Sequence, residues 1–314
     1  MGITHFDEAR GIDYALGHLT SRWTLLGEAA GSVRVGVRRI QVPAGSWTTP
    51  AHEHGREEEI FYVLAGRGVS WQRGKTADVR AGDCIVYLPR RGAHSLHAVE
   101  PIDVLAFGPR FADEVPRFPR LGYSLVGGRA VQTTPGVIER APFQFVLESQ
   151  LGPPELPEEP GPRPSTIVNV ADVEETTVER ARVHRTRKDL GRAAGSRETG
   201  IQLVDVAPGR EGSPSHCHSA EEELFVILDG SGTLVLGYGE AATETPVGPG
   251  HVVSRPPGTG VAHVLRAGPD GLRFLAYGTR EPGDICFYPR SSKLGLPGGI
   301  YVRVEPLDYW DGED

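Results

Sequence analysis

The chain lacks several features that mark common classes of protein. Its three cysteines, Cys84, Cys217 and Cys286, are too few and too scattered for a disulfide framework, so we expect a reducing, cytoplasmic environment. It has no apolar run of the ~18 residues that a membrane-spanning helix requires, and its first residues lack the apolar stretch of a signal peptide. Acidic residues outnumber basic ones, 41 to 33, and the resulting net charge of −8 argues against nucleic acid or a membrane surface as a partner.

Glycine and proline, in contrast, are plentiful, with 41 and 26 residues, which favours many short strands joined by turns. A length of 314 residues suggests two domains, at ~150 residues each. A proline-rich stretch separates two strand-rich halves, and its composition is typical of an extended, solvated linker. We therefore predict four segments: a short helix or arm at 1–22, a first domain at 23–147, a linker at 148–165, and a second domain with a C-terminal extension at 166–314.

One pattern of residues occurs twice, with every marked position shifted by 164. The first copy holds His52, His54, Glu59 and Gly66, and the second holds His216, His218, Glu223 and Gly230. Similar apolar segments surround both copies, so the repeat covers most of each half. Two histidines and a glutamate at fixed spacing, repeated in register, predict one metal site in each half.

Strand geometry explains how these residues could meet. Residues i and i+2 of a strand face the same side, so His52 and His54 project together. Glu59 opens the next strand, and an antiparallel neighbour can bring its carboxylate beside the histidine pair. A fourth ligand is expected downstream, after a Gly-Asp turn and a strand, and His94 and His263 are the candidates in the two halves.

These residues resemble the cupin superfamily, and the two copies resemble a bicupin. The first cupin motif, G-(x)5-H-x-H-(x)3–4-E-(x)6-G, occurs in both halves with one extra residue before the first histidine. The second motif is met more loosely before His94 and His263, and its terminal Asn is missing. The resemblance covers roughly residues 25–110 and 195–280. It implies an all-β fold of two double-stranded β-helix (jelly-roll) barrels, with short helical or irregular termini.

The ligand set indicates a class of metal. Three imidazoles and one carboxylate suit a divalent transition metal in each domain, such as Fe, Mn, Ni, Co or Cu. An octahedral ion would keep two positions open for substrate, water or dioxygen. Tetrahedral Zn would be closed by four protein ligands and would be structural.

Each glutamate of the motif closes a run of three. The spacing to Gly66 and Gly230 selects the last member of each run, Glu59 and Glu223. The middle members, Glu58 and Glu222, are the alternative ligands. The first members, at 57 and 221, are expected to be solvated.

Four further residues have competing interpretations. Cys217 lies between two ligands but points to the opposite face, which predicts packing. His97 could shuttle protons near His94, although a structural or surface role is favoured. Arg90 and Arg91, on the loop before His94, could meet an anionic substrate, although a loop arginine is usually only solvated.

Three functions fit this pattern. The best guess is a metal-dependent dioxygenase, because the ligand set resembles that of bicupin dioxygenases. The second is a redox-neutral hydrolase, isomerase or decarboxylase, in which a metal polarises a carbonyl or activates water. The third is a non-enzymatic module that binds or senses a small molecule. In each case the partner is a small molecule in the barrel, and the chain is a monomer or a homodimer.

Overall fold

The computed structural model describes residues 2–127, 129–132 and 143–313. Twelve of its strands lie between residues 2 and 126: β1 Gly2–His5, β2 Gly11–Leu16, β3 Leu19–Thr24, β4 Val35–Val42, β5 Glu59–Ala65, β6 Arg67–Gln72, β7 Lys75–Arg80, β8 Asp83–Tyr87, β9 His94–Ala98, β10 Ile102–Pro109, β11 Arg117–Phe118 and β12 Tyr123–Val126. The others are β13 Arg129–Gln132, β14 Ile167–Asn169, β15 Glu175–Arg180, β16 Val183–Asp189, β17 Thr199–Val206, β18 Cys217–His218, β19 Glu223–Leu236, β20 Thr243–Val247, β21 His251–Arg255, β22 His263–Thr279, β23 Cys286–Tyr288, β24 Lys293–Leu296 and β25 Ile300–Arg303.

Helices in the described residues are few and short. The α-helices are α1 Leu26–Ala29, α2 Gln144–Leu151 and α3 Leu190–Ala193, and the 3-10 helices are Val170–Asp172, Gly239–Ala241 and Pro289–Ser291. Within the described residues, no helix combines the length and the apolar character that crossing a bilayer requires.

The strands form two antiparallel barrels, which confirms the predicted fold class. In the first, a seven-stranded sheet in the order β14-β8-β5-β10-β4-β3-β2 accompanies a three-stranded sheet, β7-β6-β9. In the second, the order is β1-β21-β19-β22-β17-β16-β15, with β20 on β19 and a further sheet β18-β23-β24-β25. Each barrel encloses its own apolar cluster, and a third cluster combines residues of both repeats, including Ile60, Leu105, Leu224 and Leu275.

The repeat begins earlier than the motif suggested, because its first strand also occurs twice. β1 pairs with β21, with His5 opposite His251, and β14 pairs with β8, with Asn169 opposite Asp83. Each repeat therefore donates its first strand to the sheet of the other barrel. The predicted N-terminal helix or arm is wrong, because residues 2–24 form three strands. Strand β14, predicted within the second domain, is hydrogen-bonded to the first barrel.

Most of the predicted linker is exposed to solvent, but parts of it contact the first barrel. Helix α2 extends into its first residues as far as Leu151. Farther on, the backbone N–H of Gly161 donates to the carbonyl of Thr76, and the guanidinium of Arg163 pairs with the buried carboxylate of Asp83. These contacts fasten the segment to the first barrel. The domain limits remain a prediction, and residues 133–142 of the first predicted domain lie outside the described residues.

Two buried glutamates join the barrels by equivalent contacts. Glu58, 1% exposed, accepts hydrogen bonds from the backbone N–H groups of Arg197 and Thr199 and from the hydroxyls of Ser196 and Thr199. Glu222, fully buried, accepts from the backbone N–H groups of residues 33–35 and from the Ser254 hydroxyl. A buried carboxylate is tolerated only when such donors replace water. The alternative role of these glutamates as ligands is therefore not supported, because their carboxylates are already hydrogen-bonded to groups of the opposite barrel.

We expect Glu58→Gln to destabilise the fold by about 3 kcal/mol, because the amide presents N–H groups to donors that need an acceptor. Equilibrium denaturation measures the loss. Glu240→Gln, at an exposed glutamate in the second repeat, is the control and should change stability by less than about 0.5 kcal/mol. Equal stability of the two variants would contradict the assignment.

Candidate metal centres

The first centre gathers all four residues predicted for it. His52, His54, Glu59 and His94 have ligand atoms that all lie within 4.8 Å of one another. The carboxylate oxygen Oε2 of Glu59 is 3.0 Å from Nε2 of His94 and 3.9 Å from Nε2 of each of the other two histidines. Donor atoms from separate segments of the chain thus lie around one point, as the ligands of a single small ion do.

The backbone around the second centre is hydrogen-bonded in the same way as at the first. His216 and His263 exchange backbone hydrogen bonds of 3.2 and 2.8 Å, the same pair of lengths as between His52 and His94. Here the ligand atoms of His216, His218 and Glu223 lie within 4.8 Å of one another, and His263 is not part of this group. His263 is nevertheless near, since its Nε2 lies 2.8 Å from Oε2 of Glu223. Its role as fourth ligand stays a prediction.

Unsatisfied atoms at the second centre fit a metal ion. Nε2 of His263 and Oε2 of Glu223 are buried, and neither makes a hydrogen bond of good geometry within the described chain despite their 2.8 Å separation. Buried polar atoms without partners are costly. A divalent cation between them would satisfy both, so these residues fit the metal that the ligand set implies.

The first histidine of each pair is prepared for metal binding by a proline carbonyl. Nδ1 of His52 lies 3.0 Å from the carbonyl oxygen of Pro50, and Nδ1 of His216 lies 2.8 Å from that of Pro214. The carbonyl can only accept, so Nδ1 carries the proton and Nε2 keeps its lone pair. Burial, followed by the neighbouring histidines, lowers the pKa of His52 to about 3. Burial lowers the pKa of His216 to about 4.

The second histidine of each pair faces a carboxylate that the sequence analysis missed. Nδ1 of His54 lies 3.3 Å from Glu114, outside good hydrogen-bond geometry, and Nδ1 of His218 lies 2.6 Å from Asp284. Both acids also accept backbone N–H groups from the turn that follows the histidine pair. They therefore orient a ligand and its turn together.

Opposing effects set the charge of these second histidines. Burial alone lowers the pKa of His54, but the nearby carboxylates of Glu114 and Glu59 favour the protonated ring and raise the pKa to about 10. At His218 burial is likewise overcome by Cys286, Glu223 and Asp284, and the pKa rises to about 12. Without a metal, each centre therefore holds one imidazolium at neutral pH.

Each run of three glutamates divides its members among three tasks. The first, Glu57 or Glu221, accepts a backbone N–H from the loop after the last barrel strand, at Phe111 or Glu281. These glutamates are partly buried rather than solvated as predicted. The second joins the barrels, and the third, Glu59 or Glu223, reaches the metal centre.

The other residues singled out in the sequence lie outside the centres. Cys217 is buried, with its side chain away from the cavity, in agreement with the predicted packing role. His97 packs against Trp47, with ring centroids 5.1 Å apart. Arg90 makes a hydrogen bond to the carbonyl of Gly55, and Arg91 lines a separate pocket. Cys286, not considered from the sequence, lies with Sγ 3.2 Å from Nδ1 of His218.

A cavity of about 310 Å³ opens onto the second centre. Its lining includes the three ligands His216, His218 and Glu223 and the fourth candidate, His263. Cys286, Tyr288, Arg185 and Arg187 also line it. It adjoins an outer pocket of about 440 Å³, since Arg185, Pro214 and Tyr288 line both. The second centre is therefore accessible to a small molecule.

The two arginines of this cavity make it electropositive. Arg187 forms no ion pair with any described residue, and Nε of the partly buried Arg185 has no hydrogen-bond partner there. Burial, together with the charge of Arg187, lowers the pKa of Arg185. A guanidinium remains protonated at neutral pH even so, and an anionic ligand would compensate both charges.

The first barrel differs at the two corresponding positions. Arg185 and Arg187 correspond to Ser21 and Trp23, because Trp23 pairs with Ile40 as Arg187 pairs with Val204. Trp23 packs against the apolar interior of the first barrel and meets Tyr14 and Phe145 edge to face. The repeat therefore carries two similar metal centres in two different surroundings.

Comparison with known proteins agrees with this architecture. Residues 38–107 and 202–276 each match the family described as Cupin domain. The chain therefore contains two cupin domains, one in each half, and is a bicupin.

Similar proteins have been found by sequence and by structure. An uncharacterised protein of Methanocaldococcus jannaschii is 38% identical over 58 residues, and an oxalate-binding protein of Thermotoga maritima is 36% identical over 58 residues. Each match covers 18% of this chain and less than half of the relative, 45% and 46%.

Among solved structures, Bacillus subtilis oxalate decarboxylase with Mn(II) centres has a TM-score of 0.57 at 16% identity, over 90% of this chain and 78% of that one. A formate complex of Lactobacillus farciminis oxalate decarboxylase has a TM-score of 0.58 at 15% identity, over 89% and 86%. At such identities the likeness shows the fold alone.

We expect wild-type protein to bind two metal ions per chain, and Glu114→Gln to weaken only the first site, by 10–100-fold, because the histidine it orients becomes mobile. Asp284→Asn should do the same at the second site. Competition against a chromophoric chelator measures both affinities. Asp113→Asn, an exposed neighbour paired with Arg56, is the control, and a loss equal to that of Glu114→Gln would contradict the positioning role.

Metal binding should release about one proton per centre at neutral pH, because His54 and His218 must each give up a proton from Nε2. Affinity should therefore rise about tenfold per pH unit below the pKa of about 10 at His54, and fall on acidification. Calorimetric titrations in two buffers of different ionisation enthalpy count the protons. Identical enthalpies in both buffers would contradict the predicted charge of these histidines.

Proposed function

We propose that this bicupin is a metal-dependent enzyme that acts on a small carboxylate in the cavity of the second barrel. The observation that carries the proposal is the position of Arg185 and Arg187 in the same cavity as the three ligands His216, His218 and Glu223. A carboxylate group can pair with a guanidinium at one end and reach the metal centre at the other. The volume of about 310 Å³ suits a small organic molecule.

Within this proposal the residues have distinct tasks. A divalent metal held by His216, His218, Glu223 and His263 would supply a Lewis acid that polarises the bound carboxylate. Arg185 and Arg187 bind and orient the anion. Tyr288, which stacks on His216 with centroids 5.7 Å apart, lines the cavity. Burial and then the neighbouring Cys286 and Tyr301 raise the pKa of its hydroxyl, so it keeps its proton and can donate it.

A redox-neutral reaction, such as decarboxylation, is the chemistry we favour. In it the bond to the carboxyl carbon breaks, carbon dioxide leaves, and the electron pair remaining on the substrate carbon takes up a proton. The similar proteins are an oxalate-binding protein and oxalate decarboxylases, which support a small carboxylate and lend no support to the dioxygenase expected from the sequence. Oxygen consumption separates the two reactions.

The test uses metal-loaded protein and a panel of small carboxylates, with oxalate first. Carbon dioxide release and dissolved oxygen are followed together. We expect carbon dioxide without stoichiometric oxygen consumption, and at least a tenfold rise in KM for Arg187→Gln, because the anion loses a charge partner. Oxygen consumed in proportion to substrate would instead favour the dioxygenase.

Matched variants in the two barrels identify the catalytic one. His218→Ala should abolish turnover, whereas His54→Ala, at the same position of the first repeat, should retain most of it. Arg303→Gln, at an exposed arginine, controls for the loss of one positive charge. Turnover that survives His218→Ala but is lost in His54→Ala would refute the assignment to the second barrel.

A further inference from the structure

A second electropositive pocket lies on the first barrel, apart from both metal centres. Its volume is about 450 Å³, and it lies against the segment that precedes β14. The residues that line it are Ser70, Gln72, Arg73, Lys75, Thr76, Ala77, Arg91, Pro162 and Pro164. Three of them are cationic and none is acidic. The metal ligands do not contribute to it.

The three cations of this pocket are uncompensated. Arg73, Lys75 and Arg91 form no ion pair and donate no side-chain hydrogen bond to any residue in the described part of the chain. They come from two segments, the β6–β7 turn and the loop before β9. Gathering like charges raises the electrostatic energy of the free protein, so a bound anion would relieve repulsion as well as gain attraction.

Backbone conformation holds this pocket in place. Arg73 adopts a left-handed conformation, with φ of 53°, and its side chain lies across Gly92. A Cβ added at Gly92 would lie 1.8 Å from Cδ of Arg73, so only glycine permits this arrangement. On the far wall, the hydrogen bond from Gly161 to Thr76 and the ion pair of Arg163 with Asp83 hold the two prolines against the barrel.

Comparison with the second repeat shows that the fold does not require the polar residues Ser70 and Gln72 that line this pocket. Gln72 lies opposite His94 and Ser70 opposite Leu96, whereas Leu236 lies opposite His263 and Leu234 opposite Leu265. Two leucines thus replace Ser70 and Gln72 at the same positions of the ladder. The Gln72 amide donates to the Ser70 hydroxyl, which also lies 3.1 Å from the Tyr87 hydroxyl, so a polar network lies beside the three cations.

We propose that this pocket binds a small molecule carrying a tetrahedral dianion, a phosphate or sulfate ester. Two guanidinium groups and an ammonium match the charge and the oxygen atoms of such a group. A volume of about 450 Å³ leaves room for an attached organic group. The proposal is independent of the reaction proposed for the second barrel.

Isothermal titration of the metal-loaded chain with inorganic phosphate and with sulfate, at constant ionic strength set by chloride, tests this site. We expect binding of at least one of the two anions, and at least a tenfold loss of affinity in Arg91→Gln and in Lys75→Gln. The preferred anion identifies the ester. Equal heats with chloride alone would overturn the proposal.

Two controls separate this pocket from the other cationic sites. Arg303→Gln removes one exposed charge elsewhere and should leave the affinity unchanged. Arg187→Gln removes a charge from the cavity of the second barrel and should also leave it unchanged. If Arg187→Gln rather than Arg91→Gln abolished binding, the anion site would be that cavity and the proposal would fail.

Discussion

The burial of one carboxylate from each repeat in the contact with the other barrel is the constraint on which the structure depends. Glu58 and Glu222 have exchanged water for backbone N–H groups and hydroxyls of the opposite repeat. Since each directly precedes the metal-centre glutamate that opens strand β5 or β19, fixing one residue also fixes the position of the next. The contact between the barrels and the metal centre thus depend on neighbouring residues at the start of the same strand.

The outer carboxylates extend this arrangement to the second histidine of each pair. Glu114 and Asp284 bind the turn that separates the histidines from the glutamate run, and the same acids face Nδ1 of His54 and His218. Each centre is therefore positioned by two strands and one loop. A ligand set held in this way changes little when a metal binds, which lowers the cost of organising the site.

The repeats have kept this framework while their surroundings diverged. Trp23 packs against apolar residues in the first barrel. Arg187, at the corresponding position of the second barrel, lines a cavity where it can pair with an anion. The reverse difference occurs on strand β6, where Ser70 and Gln72 replace two leucines of the other barrel. Such substitutions alter what each barrel can bind without altering the strand pairing that supports its metal centre.

The spacing of histidine and glutamate residues determined the predicted metal ligands, because strand alternation places i and i+2 on one face whatever surrounds them. The fold class came from the resemblance of that spacing to the cupin motif. The same local logic could not find Glu114 or Asp284, which meet their histidines across 60 and 66 residues. Nor could it assign residues 2–24 to strands, since β1 completes the sheet of the distant repeat. Only the tertiary structure decided which cavity is charged, because Arg187 and Trp23 occupy equivalent strand positions and differ in what packs around them.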